Sequence, residues 1–353
     1  MDVDRLPELS ELGWKPDRSQ QVMTYAEHLE PARVIESHRS GLVVAPSLAN
    51  QHEFALGGRW FNLPPDERPV VGDWLLIDPQ TESIEVLLDR SSLIKRLAPS
   101  GEIQPIAANI DTAFVVTSCN ADFSLSRLER YLSVLHQEDI VPVIVLTKAD
   151  LADEPEAFLK QAGSLGVNIA VELVNALDED RVGVLYKWCG RGQSIALLGS
   201  SGVGKSTLVN SLCKTPVQAT RAAREADDKG RHTTTYRSLH KLPMGGVILD
   251  SPGMREFQIA EADAGVDSVF EDIEGLAVSC RFNDCGHGSE PGCAVRAAIA
   301  EGSVEERRLD SYFKLKKEDR FNTETVAERH ARMRTFGKMV RKHVSEKPRF
   351  KRD

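Results

Sequence analysis

No apolar run in this 353-residue chain is long enough to cross a bilayer. The longest clean one, Ile140-Val-Pro-Val-Ile-Val-Leu146, falls far short of the about 20 residues a spanning helix needs. The opening residues, Met1-Asp-Val-Asp-Arg-Leu-Pro-Glu8, lack the apolar core of a secretion signal, so a cytoplasmic protein with no membrane partner is expected. Internal repeats and extended low-complexity segments are absent. Cysteine is scarce, with six residues, and their distribution excludes a disulfide framework: Cys119, Cys189 and Cys213 are scattered, whereas the other three cluster around a histidine. Positive charge is in deficit, 44 Lys and Arg against 53 Asp and Glu, so the surface as a whole is unsuited to indiscriminate nucleic-acid binding. The exception is the stretch from Arg329 to Asp353, where ten Lys and Arg face two acids, a segment able to meet phosphate. What remains is the composition of a globular protein, 41% hydrophobic and 27% charged, with length for two or three domains.

The pattern divides into four parts. Residues 1–31 are polar and predict a loosely ordered arm or one short helix. Residues 32–97 read as short strands, Arg33-Val-Ile-Glu-Ser, Gly41-Leu-Val-Val-Ala, Asp73-Trp-Leu-Leu-Ile-Asp and Ser83-Ile-Glu-Val-Leu-Leu, punctuated by turn residues. About five strands in so short a span suggest a small OB-like β-barrel, with an SH3-like barrel as its competitor. Residues 98–260 alternate strands that are apolar throughout (Asp111–Val116, Val141–Leu146, Ser194–Leu198) with helical spacing, as in Ser126–Gln137. This is the signature of a parallel α/β sheet covered on both faces. Residues 261–353 read as helical, interrupted by the cysteine cluster and ending in the basic tail.

Gly199-Ser200-Ser201-Gly202-Val203-Gly204-Lys205-Ser206-Thr207 fits G-x-x-x-x-G-K-[S/T], with a buried strand before it and a helical run after it. Its glycines let successive backbone N–H groups turn toward phosphate oxygens, Lys205 adds a positive charge, and the Ser206 hydroxyl suits Mg²⁺. Thr147-Lys148-Ala149-Asp150 follows an apolar strand at its carboxyl end, where ligands bind in open α/β sheets. A carboxylate at Asp150 accepts two hydrogen bonds from guanine, where adenine offers neither donor, and the Lys148 stem can lie along the base. Asp250-Ser-Pro-Gly253 follows another apolar strand; Asp250 is placed to hold Mg²⁺ through water and the Gly253 N–H to approach a γ-phosphate. Between these lies Gly230-Arg-His-Thr-Thr-Thr235, a switch-like segment in which Thr234 is the chosen second Mg²⁺ ligand. Spacing leaves Thr233 and Thr235 open. Downstream, Cys280, Cys285, His287 and Cys293 make a Cys₃His set suited to one structural, tetrahedral Zn²⁺, with Gly286, Gly288 and Gly292 favouring a ligand loop over a core helix.

The order T-K-x-D, G-x-S-G-V-G-K-S, G-R-H-T-T-T, D-x-P-G is rotated relative to ordinary Ras-like GTPases. Together with the preceding barrel and the following C-x₄-C-x-H-x₅-C, it resembles the RsgA (YjeQ) family of circularly permuted GTPases, from about residue 32 to about 320. Asn109-Ile-Asp111 and Glu290-Pro-Gly-Cys293 match that pattern too. The resemblance implies a ribosome-associated enzyme that turns GTP into GDP, binds the small ribosomal subunit and its rRNA, and acts in late subunit assembly. A monomer is expected. Thr147 stands where Asn is common, Ser251 where Thr is usual, and the base-contacting loop that often reads Ser-Ala is Asn175-Ala176. Gly253 is followed by Met254, with no glutamine to orient water, which predicts slow hydrolysis unless a partner completes the site. His232 is the candidate for orienting that water, with Thr234 and Lys205 beside it as the expected catalytic set. For the same reason a GTP-gated RNA-binding module, in which hydrolysis is incidental, is the alternative. An ATP-dependent metabolic kinase conflicts with Asp150. Arg59-Trp-Phe61, Lys95-Arg96 and the basic tail are the candidate RNA contacts.

Overall fold

A computed structural model describes residues 6–38, 41–98, 102–166, 168–217, 237–250 and 261–323. Its first five strands are β1 (Glu30–Ser37), β2 (Gly41–Ala45), β3 (His52–Ala55), β4 (Trp74–Asp78) and β5 (Ser83–Leu87), all antiparallel to their neighbours in the order β3-β2-β1-β4-β5. Alternate residues Val34, Leu42, Val44, Leu75 and Ile77 fill one side of this curled sheet. A hairpin, β6 (Leu93–Leu97) with β7 (Ile103–Ala108), follows, and the division expected between residues 97 and 98 falls within it.

The α/β sheet is built from β8 (Thr112–Ser118), β9 (Val141–Thr147), β10 (Ala170–Leu173), β11 (Ser194–Leu198), β12 (Arg237–Lys241) and β13 (Val247–Asp250), in the spatial order β10-β9-β8-β11-β13-β12. All pairs are parallel except β12 with β13. The continuous apolar runs are explained by burial on both faces. Ala113, Val115, Ile144 and Leu146 face one layer, where helix α4 (Leu125–Gln137) contributes Leu128, Leu132 and Leu135. Phe114, Val116, Val143, Val145 and Leu197 face the other, under Leu208, Val209 and Leu212 of helix α7 (Lys205–Cys213). Each fully buried side chain of this size contributes about 1.5–3 kcal/mol.

Two long-range features were not expected. First, β12 pairs antiparallel with β1 through Glu36↔Ser238 and Ser37↔Arg237, so the barrel strands and the α/β sheet form one eleven-stranded sheet. The part of β1 beyond its β4 pairing thereby covers what would be an open sheet edge. Second, the N-terminal arm is packed. It holds helices α1 (Leu6–Glu11) and α2 (Arg18–Val22), and Leu9, Leu12, Trp14 and Val22 are buried, with the Trp14 ring edge-on to Trp74 at 4.7 Å.

Arg33, wholly buried, joins these parts. It donates to the carbonyl oxygens of Leu12, Gly72 (3.2 Å) and Asn109 (3.2 Å) and to the Ser194 hydroxyl (2.8 Å), where β11 begins. Desolvation lowers its pKa from the ordinary guanidinium value. Asp111 accepts from Ser194 N at 2.8 Å and pairs with Lys15 at 2.5 Å. The Asn109-Ile-Asp111 stretch is thus a junction among arm, barrel and the strand that carries the phosphate loop. The chain from 261 forms helices α8 (Asp263–Val269), α9 (Glu271–Ala277), α10 (Ala294–Ala300) and α11 (Glu306–Thr323), of which α8 and α11 pack on α4. Among the described residues no helix is long and apolar enough to cross a membrane.

Candidate nucleotide site and metal centre

Strand β11 ends at Leu198, and Gly199–Gly204 curl back to the start of α7 at Lys205. Gly199 has φ +140°, and a Cβ there would lie 2.1 Å from the Val116 carbonyl oxygen, so no other residue fits this turn without displacing β8. Gly202 and Gly204 also have positive φ, which lets the backbone form a concave turn before the helix N-terminus. Lys205 Nζ lies 2.6 Å from the Gly199 carbonyl oxygen and 2.5 Å from that of Ser200, folded over the loop it is expected to serve.

The segment Thr147–Asp150 docks directly on this loop. Thr147 is fully buried, and its hydroxyl donates to the Val203 carbonyl oxygen at 2.5 Å, with the Thr117 carbonyl oxygen at 3.2 Å. Lys148 adopts a left-handed backbone, φ +57°, and its ammonium donates to the Gly202 carbonyl oxygen at 2.7 Å. That turn leads into a single helical turn, Ala149–Leu151, which leaves Asp150 exposed. The Asn175–Ala176 loop closes the same end of the sheet. Val174 N donates to Leu146 O at 2.9 Å, Asn175 Oδ1 accepts from Leu177 N at 3.0 Å, and the Ser211 hydroxyl of α7 donates to Ala176 O at 2.6 Å. Asp250 is the last residue of β13, parallel and adjacent to β11, and so falls at the same carboxyl end. Gly199–Thr207, Thr147–Asp150, Asn175, Ala176 and Asp250 therefore gather at one end of the sheet. His232, Thr233, Thr234, Thr235, Ser251, Gly253 and Met254 lie outside the described residues.

One contact had no sequence signal. Arg127, on the first turn of α4, donates to the Ser200 hydroxyl at 2.5 Å and to Asp122 Oδ1 at 2.9 Å. In sequence it reads as an exposed helical arginine.

Cys280, Cys285, His287 and Cys293 converge, with all four ligand atoms within 4.8 Å of one another. His287 Nδ1 is 3.6 Å from Cys280 Sγ and 3.5 Å from Cys293 Sγ, and the two sulfurs are 3.9 Å apart. A tetrahedral ion with Zn–S near 2.3 Å and Zn–N near 2.0 Å requires edges of about 3.8 Å (S to S) and about 3.5 Å (S to N), which the three edges among Cys280, His287 and Cys293 match, with Cys285 within 4.8 Å of them. Partial burial would raise the Cys280 thiol, but N–H groups of Ala294 and Val295 and the neighbouring thiols bring it below its ordinary pKa. The loop is braced from outside. Glu290 accepts from Gly286 N (3.1 Å) and Gly288 N (2.7 Å), Arg296 Nε donates to His287 O at 2.6 Å, and the Phe313 ring stacks beside the imidazole.

The profile of the family described as RsgA GTPase matches residues 87–260. Small ribosomal subunit biogenesis GTPase RsgA 2 of Vibrio parahaemolyticus is 47% identical over 342 residues, 96% of this chain and 93% of its own. The chain belongs to the RsgA GTPase family. Small ribosomal subunit biogenesis GTPase RsgA of Mesorhizobium japonicum is 43% identical over 324 residues, 90% of this chain and 91% of its own. Among solved structures, YjeQ from Thermotoga maritima (TM-score 0.60, 22% identity, 81% of this chain and 97% of that one) shares the fold. So does YloQ, described as a circularly permuted GTPase (TM-score 0.57, 23% identity, 85% and 98%). The chain is accordingly a circularly permuted GTPase with an N-terminal β-barrel and a C-terminal helical module whose Cys₃His cluster fits a metal ion. Membership also bears on Thr147, which stands where Asn is common. The structure gives the hydroxyl a task, holding the Val203 carbonyl, that leaves its one proton committed to the loop.

Proposed function

We propose that this chain hydrolyses GTP to GDP and phosphate on behalf of small-ribosomal-subunit assembly, and that hydrolysis, accelerated by the subunit, drives its release. The observation that supports this reading is the docking of Thr147 and Lys148 on the Gly199–Lys205 loop, with the exposed Asp150 following them at the same end of the sheet. In this account Asp150 selects guanine, Lys148 and the Asn175–Ala176 loop flank the base, and the backbone from Ser200 to Thr207 holds the phosphates. Ser206 and Thr234, with Asp250 as an outer partner, would hold Mg²⁺, which would supply charge neutralisation to the phosphates. Lys205 and Thr234 join His232 as the catalytic set, with His232 orienting the water that no glutamine orients. Zn²⁺ on the Cys₃His cluster is structural, since four protein ligands leave no open position. The division into arm (1–31), barrel (32–97), GTPase unit (98–260) and zinc module with basic tail (261–353) belongs to the same proposal, as do rRNA contact, a monomeric state and a cytoplasmic location.

The relatives named for small-subunit biogenesis support this partner. The test is the GTPase rate titrated against purified small subunits, with large subunits as control. A large acceleration by small subunits alone is expected, and its absence would favour the GTP-gated binding module. His232→Ala hydrolysing as fast as the parent with small subunits present would remove the histidine from the catalytic set.

A further inference from the structure

Helix α4 touches both the phosphate loop and the C-terminal module. At its first turn Arg127 donates to the Ser200 hydroxyl at 2.5 Å. The same Nη1 lies 2.9 Å from Asp122 Oδ1 and 3.2 Å from the Asp122 carbonyl oxygen, in the turn that the Asn120 side chain stiffens by accepting from Asp122 N. The Ser124 side chain caps the helix by accepting from Arg127 N. Ser200 is thus held from two sides, its hydroxyl by Arg127 and its carbonyl by Lys205. When Lys205 turns to phosphate oxygens it must leave that carbonyl. Among the described contacts, Arg127 is then the side-chain tie that remains on Ser200.

Two residues further along α4, the fully buried Glu129 carboxylate accepts from Arg307 (3.1 Å to each oxygen), Arg308 (3.3 Å) and the Ser311 hydroxyl (2.5 Å), all at the start of α11. Arg308 also grips Asp272 and the Val269 carbonyl, gathering α8 and α9 onto the same point. Arg130 pairs with Glu318 at 2.5 Å. At the far end of α4, Gln137 accepts from Gly265 N at 3.0 Å, and Gly265 lies so close that a Cβ there would meet the Ser133 carbonyl oxygen at 1.9 Å. The module is therefore clamped along α4 by charged, hydrogen-bonded and close-packed contacts, while the helix start rests on the phosphate loop.

We propose that Arg127 is a positioning residue for the phosphate loop, and that α4 is the strut through which the C-terminal module biases that loop. A rigid helix seized at Glu129 and at Ser133–Gln137 cannot shift without moving Arg127 relative to Ser200. Force or order arriving at the module, as when it docks on a partner, reaches the nucleotide through this contact. The inference needs only a nucleotide-binding loop; its link to stimulation rests on the small-subunit partner proposed above.

Amide exchange across residues 199–213, in the full-length, metal-loaded protein with and without GDP, tests the strut without any ribosome. Arg127→Ala is expected to raise exchange in the loop about fivefold or more, and Arg127→Lys, which keeps a donor, to restore part of the protection. Gly265→Ala, far from the nucleotide, is expected to raise exchange in the same peptide, with zinc content unchanged. Should that variant fold poorly, Arg308→Met loosens the same clamp. In single-turnover hydrolysis, these clamp variants are expected to keep the basal rate and lose about fivefold or more of the small-subunit stimulation. Protection of 199–213 left at the parental level in both Arg127→Ala and the clamp variants would overturn the proposal. So would a loss in Arg127→Ala with full protection in the clamp variants. A parent protein that small subunits do not stimulate would count against the partner alone, because the exchange comparison stands without it.

Discussion

Replacing Thr147 with valine isolates the bond that joins base loop to phosphate loop. Valine keeps the shape of threonine, and position 147 is fully buried, so packing changes little while one hydroxyl disappears. That hydroxyl has a single proton, and the shorter of its two contacts, 2.5 Å to the Val203 carbonyl oxygen, identifies where it goes. Val203 is itself 1% exposed, so its carbonyl loses a partner that water does not readily replace. Leaving such an acceptor unsatisfied costs about 1–3 kcal/mol. The Val203 carbonyl belongs to the peptide whose N–H is that of Gly204, inside the curl that faces phosphate, so the cost falls on the geometry nucleotide binding requires. At about 1.4 kcal/mol per decade, GDP affinity should drop by roughly 5- to 150-fold in calorimetry. Thr147→Ser, which retains the donor, should stay close to the parent. If Thr147→Val binds GDP within twofold of the parent and melts at the same temperature, the hydroxyl is not holding the loop.

Further outcomes follow from the same geometry. Asp150→Asn replaces two acceptor oxygens with one acceptor and one donor, which mismatches guanine but matches the N1–H and 2-oxo groups of xanthine. Losing one charge-assisted bond of about 1.5–3 kcal/mol should weaken GTP by at least about tenfold and let XTP compete, and an unchanged guanine preference in calorimetry would disprove the assignment. Purified protein should carry one equivalent of zinc by elemental analysis. Its removal by a chelator, or Cys285→Ser, should lower the melting temperature, whereas well under one equivalent with an unchanged melt would refute the metal centre. Burial pushes the Cys119 thiol up to about 11 and Cys189 up to about 12, so both stay protonated and resist alkylation at pH 8 in the folded protein. Because these folded-state values exceed the ordinary thiol value of 9.0, their contribution to stability is complete below pH 9 and is lost as pH rises through 11 to 12. Denaturant midpoints measured from pH 8 to pH 11 should fall, and a flat profile would contradict this.

What was legible in the sequence is what chemistry forces to be contiguous. A phosphate cradle made of backbone N–H groups must be one short run, hence Gly199–Thr207, and a metal loop must return its ligands within a few residues, hence Cys280–Cys293. Strands buried on both faces announce themselves as unbroken apolar runs, and β8, β9 and β11 fall where those runs were. What was illegible depends on partners distant in sequence. Arg127 and Glu129 look like surface charges of an amphipathic helix, because Ser200 lies 73 positions from the first and Ser311 lies 182 from the second. Residues 1–31 looked like an arm because their anchors, Leu9, Leu12, Trp14 and Val22, are few. It is the Trp74 ring across the barrel that makes these four sufficient. The pairing of β1 with β12 involves no unusual residue at all, only two unpaired strand edges brought side by side.

The permuted order has a mechanical consequence that the strand map makes explicit. In space the sheet runs β10-β9-β8-β11-β13-β12, yet in the chain β8, β9 and β10 come before the phosphate-loop strand β11. The last parallel strand is therefore β13, and only residues 251–260 separate its Asp250 from the C-terminal module that begins at Glu261. That short connection includes Gly253, the residue expected to face the γ-phosphate. An unpermuted chain, whose sheet would end with β9 and β10, the strands that lead to the residues proposed to read the base, would tether any following module to that side of the site instead. Here the module that carries the Cys₃His cluster follows in sequence the segment expected to face the γ-phosphate, and it is clamped non-covalently to α4, whose first turn holds Ser200. On the site proposed above, both links lie toward the phosphates and neither toward the base, so a partner that grips the module is expected to act on the part of the site that changes when GTP becomes GDP.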